Sequence, residues 1–196
     1  MPRDTLTVLS DEALLVLYAN GDPDAARILT QRLLPRLLGY AARLTGDRAE
    51  AEDVAQEAML RLWRIAADWR TGEAQVASWV YRVATNLCTD RLRARQRRRA
   101  DALDTVAEPE DDRPGAVSVM MEADRMAALN TALATLPDRQ RQAVVLRHIE
   151  GLANPEIAAI LEIGVEAVES LTARGKRALA AALAGKRAAL GYEEGT

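Results

Sequence analysis

The stretch from Asn154 to Val168, NPEIAAILEIGVEAV, decides the fold of the C-terminal part of the chain. Ala158 is small enough for two helices to cross there, and Gly164 lies in a short turn between them. The interior of such a helix pair would come from apolar residues at helical spacing: Leu161, Ile163, Val168 and Leu171. Asn154 and Pro155 supply a helix cap and a first-turn residue. The pattern therefore predicts a helix-turn-helix.

The outward side of the second helix of this pair carries acidic, small and basic residues: Glu166, Glu169, Ser170, Ala173, Arg174, Lys176 and Arg177. A recognition helix enters the major groove with its first residues at base edges, where a Glu accepts from cytosine and later basic residues reach phosphates. The two glutamates would repel phosphates, which favours an ordinary amphipathic hairpin instead. From this segment alone both interpretations stay open.

The composition of the whole chain favours packed helices. Hydrophobic residues make up 49% of the 196 residues and charged residues 28%, while aromatic residues reach only 4%. A soluble all-α protein is therefore expected. One Cys and one His exclude a disulfide framework and a Cys/His zinc site. The sequence contains no carboxylate pair, phosphate-cradling Gly loop or metal-ligand cluster, so we expect neither an enzyme nor a cofactor.

The fold class that follows is two small helical domains joined by a flexible acidic linker. Residues 101–118 contain Pro109, Pro114 and Gly115 and little apolar periodicity, which is typical of a linker. The first domain, 1–100, and the second, 119–196, each contain four predicted helices: 11–20, 23–44, 48–67 and 77–97, then 119–135, 138–149, 155–161 and 165–184. No apolar run approaches the roughly 20 residues that span a bilayer, so we expect a cytoplasmic chain without membrane insertion.

The helix predicted over 48–67 has an apolar stripe and an apolar pair outside it. The stripe consists of Ala51, Val54, Ala55, Ala58, Met59, Leu62, Ile65 and Ala66. Leu60 points almost directly away from the stripe, near Trp63 and among Asp53, Gln56 and Glu57. Single exposed apolar residues are ordinary, but an apolar pair rimmed by carboxylates and an amide also fits a docking patch for another protein's helix.

The helix that follows Trp79 carries a polar stripe beside its core face of Val80, Val83, Ala84 and Leu87. Four residues form this stripe: Arg82, Asn86, Thr89 and Arg93. Arg binds phosphates, and Asn and Thr bond base edges, so the stripe could follow a nucleic-acid strand, extended by the arginine run of 91–99. Alternatively it is a solvated helix end whose arginines suit the dipole. Trp69, just upstream, could stack on an unpaired base or plug the core.

Together these segments resemble the bacterial extracytoplasmic-function (ECF) sigma factors, which keep only the second and fourth conserved regions of sigma. Residues 51–64, AEDVAQEAMLRLWR, look like the family's core-polymerase docking helix. Residues 78–93, SWVYRVATNLCTDRLR, look like its helix for the minus-ten promoter element. Residues 136–143, LPDRQRQA, followed by Gly151 and the run from Glu156, resemble the minus-thirty-five domain. The match covers residues from about 10 to 184.

The resemblance implies a sigma factor that directs promoter-specific transcription initiation. Residues that would bind the clamp helices of core RNA polymerase are Asp53, Gln56, Glu57, Leu60 and Trp63. Residues that would bind the minus-ten element are Trp69, Arg82, Asn86, Thr89 and Arg93, with Asn86 capturing an extruded base beside Trp69. Residues that would bind the minus-thirty-five element are Glu166, Glu169, Ser170, Ala173, Arg174, Lys176 and Arg177.

The resemblance also implies a protein partner besides polymerase. Family members act in stress responses and are commonly held inactive by an anti-sigma factor, and some of those factors bind zinc. Any zinc would belong to the partner, because this chain offers only Cys88, expected to be packed, and His148, expected to be a partly exposed helical residue. We expect no metal site in the chain and no obligate homo-oligomer.

The chain departs from the family pattern in the second domain. The family often has Gly where Glu162 lies, Thr at Ala167 and Arg at Leu171. Gly175 is expected to interrupt the recognition helix, at about 1 kcal/mol relative to Ala. These differences leave the fold intact but unsettle base-by-base assignments.

The net charge and two alternative functions bear on whether the chain acts as a sigma factor. With 26 basic and 29 acidic residues, the net charge is −3, so we expect weak promoter binding by the chain alone and stronger binding once polymerase holds both domains on one duplex. A two-domain repressor or activator would leave the pair of Leu60 and Trp63 unexplained. A helical adaptor without a nucleic-acid role would not account for the arginine run.

Overall fold

The computed structural model describes residues 6–72, 74–101 and 117–184, and the described residues form eight α-helices and no strand. The helices are α1 (Asp11–Ala19), α2 (Pro23–Thr45), α3 (Arg48–Ile65), α4 (Val76–Asp101), α5 (Val117–Ala134), α6 (Asp138–Val144), α7 (Asn154–Leu161) and α8 (Val165–Ala184). The all-α prediction is confirmed, and the helix bounds differ from the predicted ones by a few residues at most. Most of the predicted linker, residues 102–116, lies outside the described residues.

Short polar residues fix where the first helices begin. The Ser10 hydroxyl accepts from the backbone N–H of Ala13 at the start of α1. The carboxylate of Asp22 does the same for the first turn of α2. Asp47 accepts from the N–H of Glu50 at the start of α3. Each cap satisfies backbone donors that the helix leaves unpaired.

The core of the N-terminal helical group lies between α2, α3 and α4. The predicted stripe of α3 is buried apart from Ile65, which is half-buried. Tyr40 of α2 is fully buried, bonds the Thr85 hydroxyl of α4 over 2.7 Å and packs edge-on against the Tyr81 ring at 5.3 Å. Burial raises the pKa of the Tyr40 hydroxyl well above its usual value. These contacts hold α4 at a defined rotation about its own axis.

The helix-turn-helix is present as α7 and α8, with Gly164 in the turn between them as predicted and one local difference in the cap. The N-cap of α7 is Ala153 rather than Asn154, and the Ala153 N–H donates to Glu156 Oε2 over 2.7 Å. The residue that ends α7 in the left-handed conformation is Glu162, with φ 55° and ψ 49°, whereas Gly164 has no positive φ. The family's frequent Gly at this position therefore has a backbone reason.

Gly175 does not interrupt α8, which continues to Ala184. Gly175 is buried where α8 crosses α6, and a Cβ built on it would lie 2.6 Å from Val144 Cγ2 and 3.2 Å from the Gln140 carbonyl oxygen. The expected interruption was wrong because the missing side chain permits a close helix crossing.

The two helical groups contact each other, since α7 packs against α4 and α5 lies against α2. One continuous set of buried apolar residues extends through both groups. Within the described ranges no helix has the length and apolar character needed to cross a membrane.

Candidate nucleic-acid and protein interfaces

The candidate docking face lies on α3. Leu60 is 48% exposed although the opposite side of its helix is buried. Trp63 is half-buried, and its ring packs against Tyr18 of α1 with centroids 4.7 Å apart and planes tilted by 60°. The apolar pattern of α3 could not predict the contact with Tyr18, because Tyr18 lies on another helix. The docking face therefore combines the exposed Leu60 and the half-buried Trp63 of α3, and the Trp63 ring is packed against Tyr18 of α1.

Charged residues border this docking face. Glu57 accepts from Arg61 Nε over 2.8 Å, and this bond, more than the Coulomb attraction of the nearby arginines, lowers the pKa of the Glu57 carboxyl. Gln56 and Asp53 are exposed, and Asp53 lies 3.5 Å from Arg91 of α4. At neutral pH the rim therefore presents the ionised Glu57 carboxylate to any partner.

The polar stripe predicted on α4 is present along one helix. Asn86 and Arg93 are exposed, and Arg82 and Thr89 are half-buried. The Thr89 hydroxyl donates to the Thr85 carbonyl oxygen over 2.8 Å and accepts from Gln142 Nε2 over 3.1 Å. The second bond comes from α6, so part of the stripe already has a partner within the chain.

Two arginines of the basic run do not extend the stripe, contrary to expectation. Arg95 reaches Glu50 Oε2 at 2.8 Å and donates to the Thr45 carbonyl oxygen at 3.0 Å. Arg91 is paired with Asp53 of α3. Both are only about 30% exposed, because their side chains turn back to hold α4 against the end of α2 and the face of α3.

A surface cavity of about 390 Å³ lies beside the N-terminal end of the stripe, at Arg82. Trp69, Trp79, Asp68 and Arg82 line it. The Trp69 ring packs edge-on against Trp79 at 6.2 Å, and its buried Nε1 has no hydrogen-bond partner among the described residues. Trp69 therefore serves partly as a core residue, yet borders an open cavity next to Arg82.

The candidate recognition helix presents the residues predicted for it. All seven are exposed: Glu166, Glu169, Ser170, Ala173, Arg174, Lys176 and Arg177. Asn154 of α7 donates to Glu169 Oε1 over 3.4 Å, and Arg174 donates to the Ser170 carbonyl oxygen over 3.3 Å. Val168 and Gly175 are buried on the inner side. The helix thus offers one polar surface to solvent.

The two residues that could have carried metal or thiol chemistry lie on different helical segments. Cys88 is fully buried on α4, and burial raises the pKa of its thiol to about 12. His148 is exposed on the π-helical segment Val145–Ile149, and partial burial with the nearby Lys176 and Arg147 lowers its pKa. Both placements agree with expectation.

Two sequence families match this chain. The Sigma-70 region 2 family matches residues 29–98, and the Sigma-70, region 4 family matches residues 126–179. The first match spans the docking face and the polar stripe, and the second spans the helix-turn-helix. Together the two matches define the class of protein as a sigma-70-type transcription initiation factor.

Individual relatives narrow the class. The RNA polymerase sigma-H factor of Pseudomonas aeruginosa is 31% identical over 187 residues, covering 91% of this chain and 96% of that protein. The ECF RNA polymerase sigma factor SigM of Mycobacterium tuberculosis is 37% identical over 178 residues, covering 87% of this chain and 83% of that protein. A solved structure of CnrH in complex with the cytosolic domain of CnrY is 26% identical, with a TM-score of 0.65, and covers 89% of this chain and 97% of that one.

The chain belongs to the ECF RNA polymerase sigma factors. It is therefore a transcription initiation factor that binds core RNA polymerase and promoter DNA, and not an enzyme.

Proposed function

We propose that the chain divides its work between residues 1–100, which bind core polymerase and the minus-ten element, and residues 119–196, which bind the minus-thirty-five element. The observation that carries the polymerase-binding part of this proposal is the exposure of Leu60. Every other large aliphatic side chain of its helix is at least partly buried. An exposed apolar side chain with a polar, charged rim suits a helical partner. The polar, charged rim consists of Asp53, Gln56 and Glu57. The aromatic residue that completes the face is Trp63.

The polar stripe of α4 supports minus-ten binding. Arg82 and Arg93 would hold phosphates, while Asn86 and Thr89 would meet base edges. The cavity bordered by Trp69 and Arg82 has room for an aromatic ring. Capturing an extruded base there would offset the few kcal/mol that unstacking costs.

The exposed surface of α8 supports minus-thirty-five binding. Glu166, Glu169, Ser170 and Ala173 lie in the first half of the helix, where a recognition helix meets base edges. Arg174, Lys176 and Arg177 follow, where phosphates are reached. Glu169 would accept from a cytosine amino group after releasing Asn154.

We infer two further properties. An anti-sigma factor covering the docking face of α3 would control the chain, with any zinc bound by that partner; the similar CnrH was solved with the cytosolic domain of CnrY. The chain would act in the cytoplasm, because promoter DNA and polymerase meet there. It would act in a stress response, as the family resemblance implies.

The test is reconstitution of the full chain with core RNA polymerase. Promoter-dependent transcripts that require the chain, on a template library selected for initiation, are the expected result. Leu60→Ala should reduce transcription at limiting chain concentration, whereas Met126→Ala, which removes another exposed apolar side chain from α5, should not. Sequence-specific duplex binding by the chain alone, without any polymerase-dependent initiation, would instead support a repressor or activator.

A further inference from the structure

Glu12 of α1 caps a helix other than its own. Its Oε1 accepts from the backbone N–H of Val76, the first residue of α4, over 3.0 Å. Val76 is fully buried and Glu12 is half-buried, so the bond is partly shielded from solvent. A carboxylate at this end of a helix satisfies an unpaired backbone donor and suits the helix dipole. The start of α4 is therefore tied to a residue 64 positions earlier in the chain.

The helix that carries Glu12 also holds the chain segment that leads into α4. α1 packs against the short 3₁₀ turn Ala66–Asp68 and contacts α4. Between the turn and α4 lies a connection that starts at Trp69, of which residues 69–72 and 74–75 are described. Thr71 of this connection lines an apolar surface depression on α1 together with Glu12. Both ends of the connection therefore lie against α1.

These two ends supply opposite walls of the cavity proposed for an extruded base. Asp68 and Trp69 line it from the turn and the connection, whereas Trp79 and Arg82 line it from α4. Trp79 and Arg82 follow Val76 by three and six residues, which places them on neighbouring sides of the first two turns of α4. A shift of the first turn of α4 would move one wall of the cavity relative to the other.

α1 is itself fixed on α2. Arg32 Nη1 donates to Asp11 Oδ1 over 2.9 Å and to the Leu9 carbonyl oxygen over 2.8 Å. The Arg32 and Asp11 side chains are 31% and 23% exposed, so this pair is shielded more than a surface ion pair. A series of polar bonds thus runs from α2 through α1 to the start of α4 without using the connection.

The cap of α4 differs from those of the three helices before it. Ser10, Asp22 and Asp47 cap α1, α2 and α3 from the position directly before each helix. A local side chain is sufficient to stabilise a helix end. A cap that comes from α1 also fixes where that end lies relative to the turn Ala66–Asp68.

We propose that Glu12 is a positioning residue for base capture at the minus-ten element. By tying the first turn of α4 to α1, Glu12 keeps the walls of the cavity, Trp69 on one side and Arg82 on the other, at the separation that an extruded base requires. Glu12 acts through these residues and does not touch the DNA itself. This inference rests on the proposed base capture beside Trp69.

The experiment uses the full chain with core RNA polymerase and a promoter duplex whose minus-ten segment is kept unpaired by mismatches. Abasic sites are placed in turn along the non-template strand of that segment. The position at which the abasic site weakens binding of the parent holoenzyme most identifies the captured base. The affinity of each holoenzyme variant is then measured by fluorescence anisotropy on the intact template and on that abasic template.

Glu12→Ala should bind the intact template about fivefold more weakly than the parent, the factor that loss of one helix cap corresponds to. On the abasic template it should bind as the parent does, because there is no base for the cavity to hold. Glu12→Gln keeps an oxygen that can accept from the Val76 N–H, so it should stay close to the parent on both templates.

Asp22→Ala is the matched control. It removes the cap of α2, whose first turn does not line the cavity, and should leave both affinities unchanged. Circular dichroism confirms that every variant keeps its helices.

Equal weakening of Glu12→Ala on the two templates would overturn the positioning role, because a purely structural cap affects both alike. Parental affinity of Glu12→Ala on the intact template would overturn it as well. A different result tests the proposed function: if no abasic site weakens the parent holoenzyme, base capture itself is wrong, and the role of Glu12 in it falls with it.

Discussion

Gly175 of α8 and Val144 of α6 approach so closely that a Cβ on Gly175 would lie 2.6 Å from Val144 Cγ2. The same Cβ would lie 3.2 Å from the Gln140 carbonyl oxygen, which belongs to the backbone and cannot easily move aside. This crossing sets how α8 lies on the rest of the helix-turn-helix.

Gly175→Ala should therefore lower the free energy of unfolding. Overpacking costs about 1–3 kcal/mol, more than the gain of about 1 kcal/mol that Ala makes over Gly in a helix interior. Gly39→Ala in α2 is the matched control, because its Cβ would meet only the flexible end of Arg43; it should stabilise by about 1 kcal/mol. Urea denaturation of both variants gives the comparison, and stabilisation by both would show that the crossing tolerates a methyl group.

Glu162→Gly should raise stability by about 0.5–1 kcal/mol. Glu162 holds φ at 55°, where Gly carries no steric penalty. The same substitution at Glu52, inside α3, should cost about 1 kcal/mol. Thermal unfolding followed by circular dichroism measures both. A loss of stability at Glu162 would mean that its side chain contributes more than its backbone conformation costs.

Leu60→Ala should weaken binding to core polymerase by at least about tenfold, which corresponds to about 1.4 kcal/mol, while leaving helicity unchanged. The single change is preferable to Trp63→Ala, because Trp63 also packs on Tyr18 and its loss would disturb α1. Titration of labelled chain with core polymerase gives the affinity. Met126→Ala provides the reference for loss of an exposed apolar side chain elsewhere.

Asn86→Ala should reduce formation of the open promoter complex more than binding of the closed duplex. Asn86 is exposed on the stripe and would act on a base only after it is extruded. Permanganate footprinting measures opening, and gel shift of holoenzyme measures duplex binding. Gln96→Ala, an exposed amide further along α4, is the control. Equal losses in the two assays for Asn86→Ala would argue against base capture.

Cys88 should resist thiol reagents at pH 8 in the folded chain and react readily in urea. Burial raises its pKa to about 12, above the about 8.5 of a free thiol. A raised folded pKa means that the thiol's contribution to stability is complete below about pH 8.5 and is lost as the pH rises toward 12. The free energy of unfolding should therefore fall over that interval, with Tyr40 adding to the fall at its upper end because its pKa is raised too. A smaller fall in Cys88→Ala checks the assignment.

Periodicity and caps predicted nearly all of the secondary structure. The buried stripe of α3, the exposed Leu60, the polar stripe of α4 and the outward surface of α8 all follow from apolar residues at helical spacing, a local property. The interruption expected at Gly175 was wrong, and the positive φ of Glu162 was not predicted, for the opposite reason. A glycine that permits a close crossing and a glutamate held at positive φ are recognised only when the neighbouring helix and the backbone are known.

The sequence by itself determined the helices, the family and which residues each helix presents outward, because these depend on order along the chain. Only the tertiary structure decided what those residues face. It brought Gln142 to Thr89 and Glu150 to Tyr81, contacts between residues more than fifty positions apart that no periodicity encodes. It also turned Arg91 and Arg95 back toward acidic residues of the first domain, because ion pairing depends on helix packing rather than on local pattern.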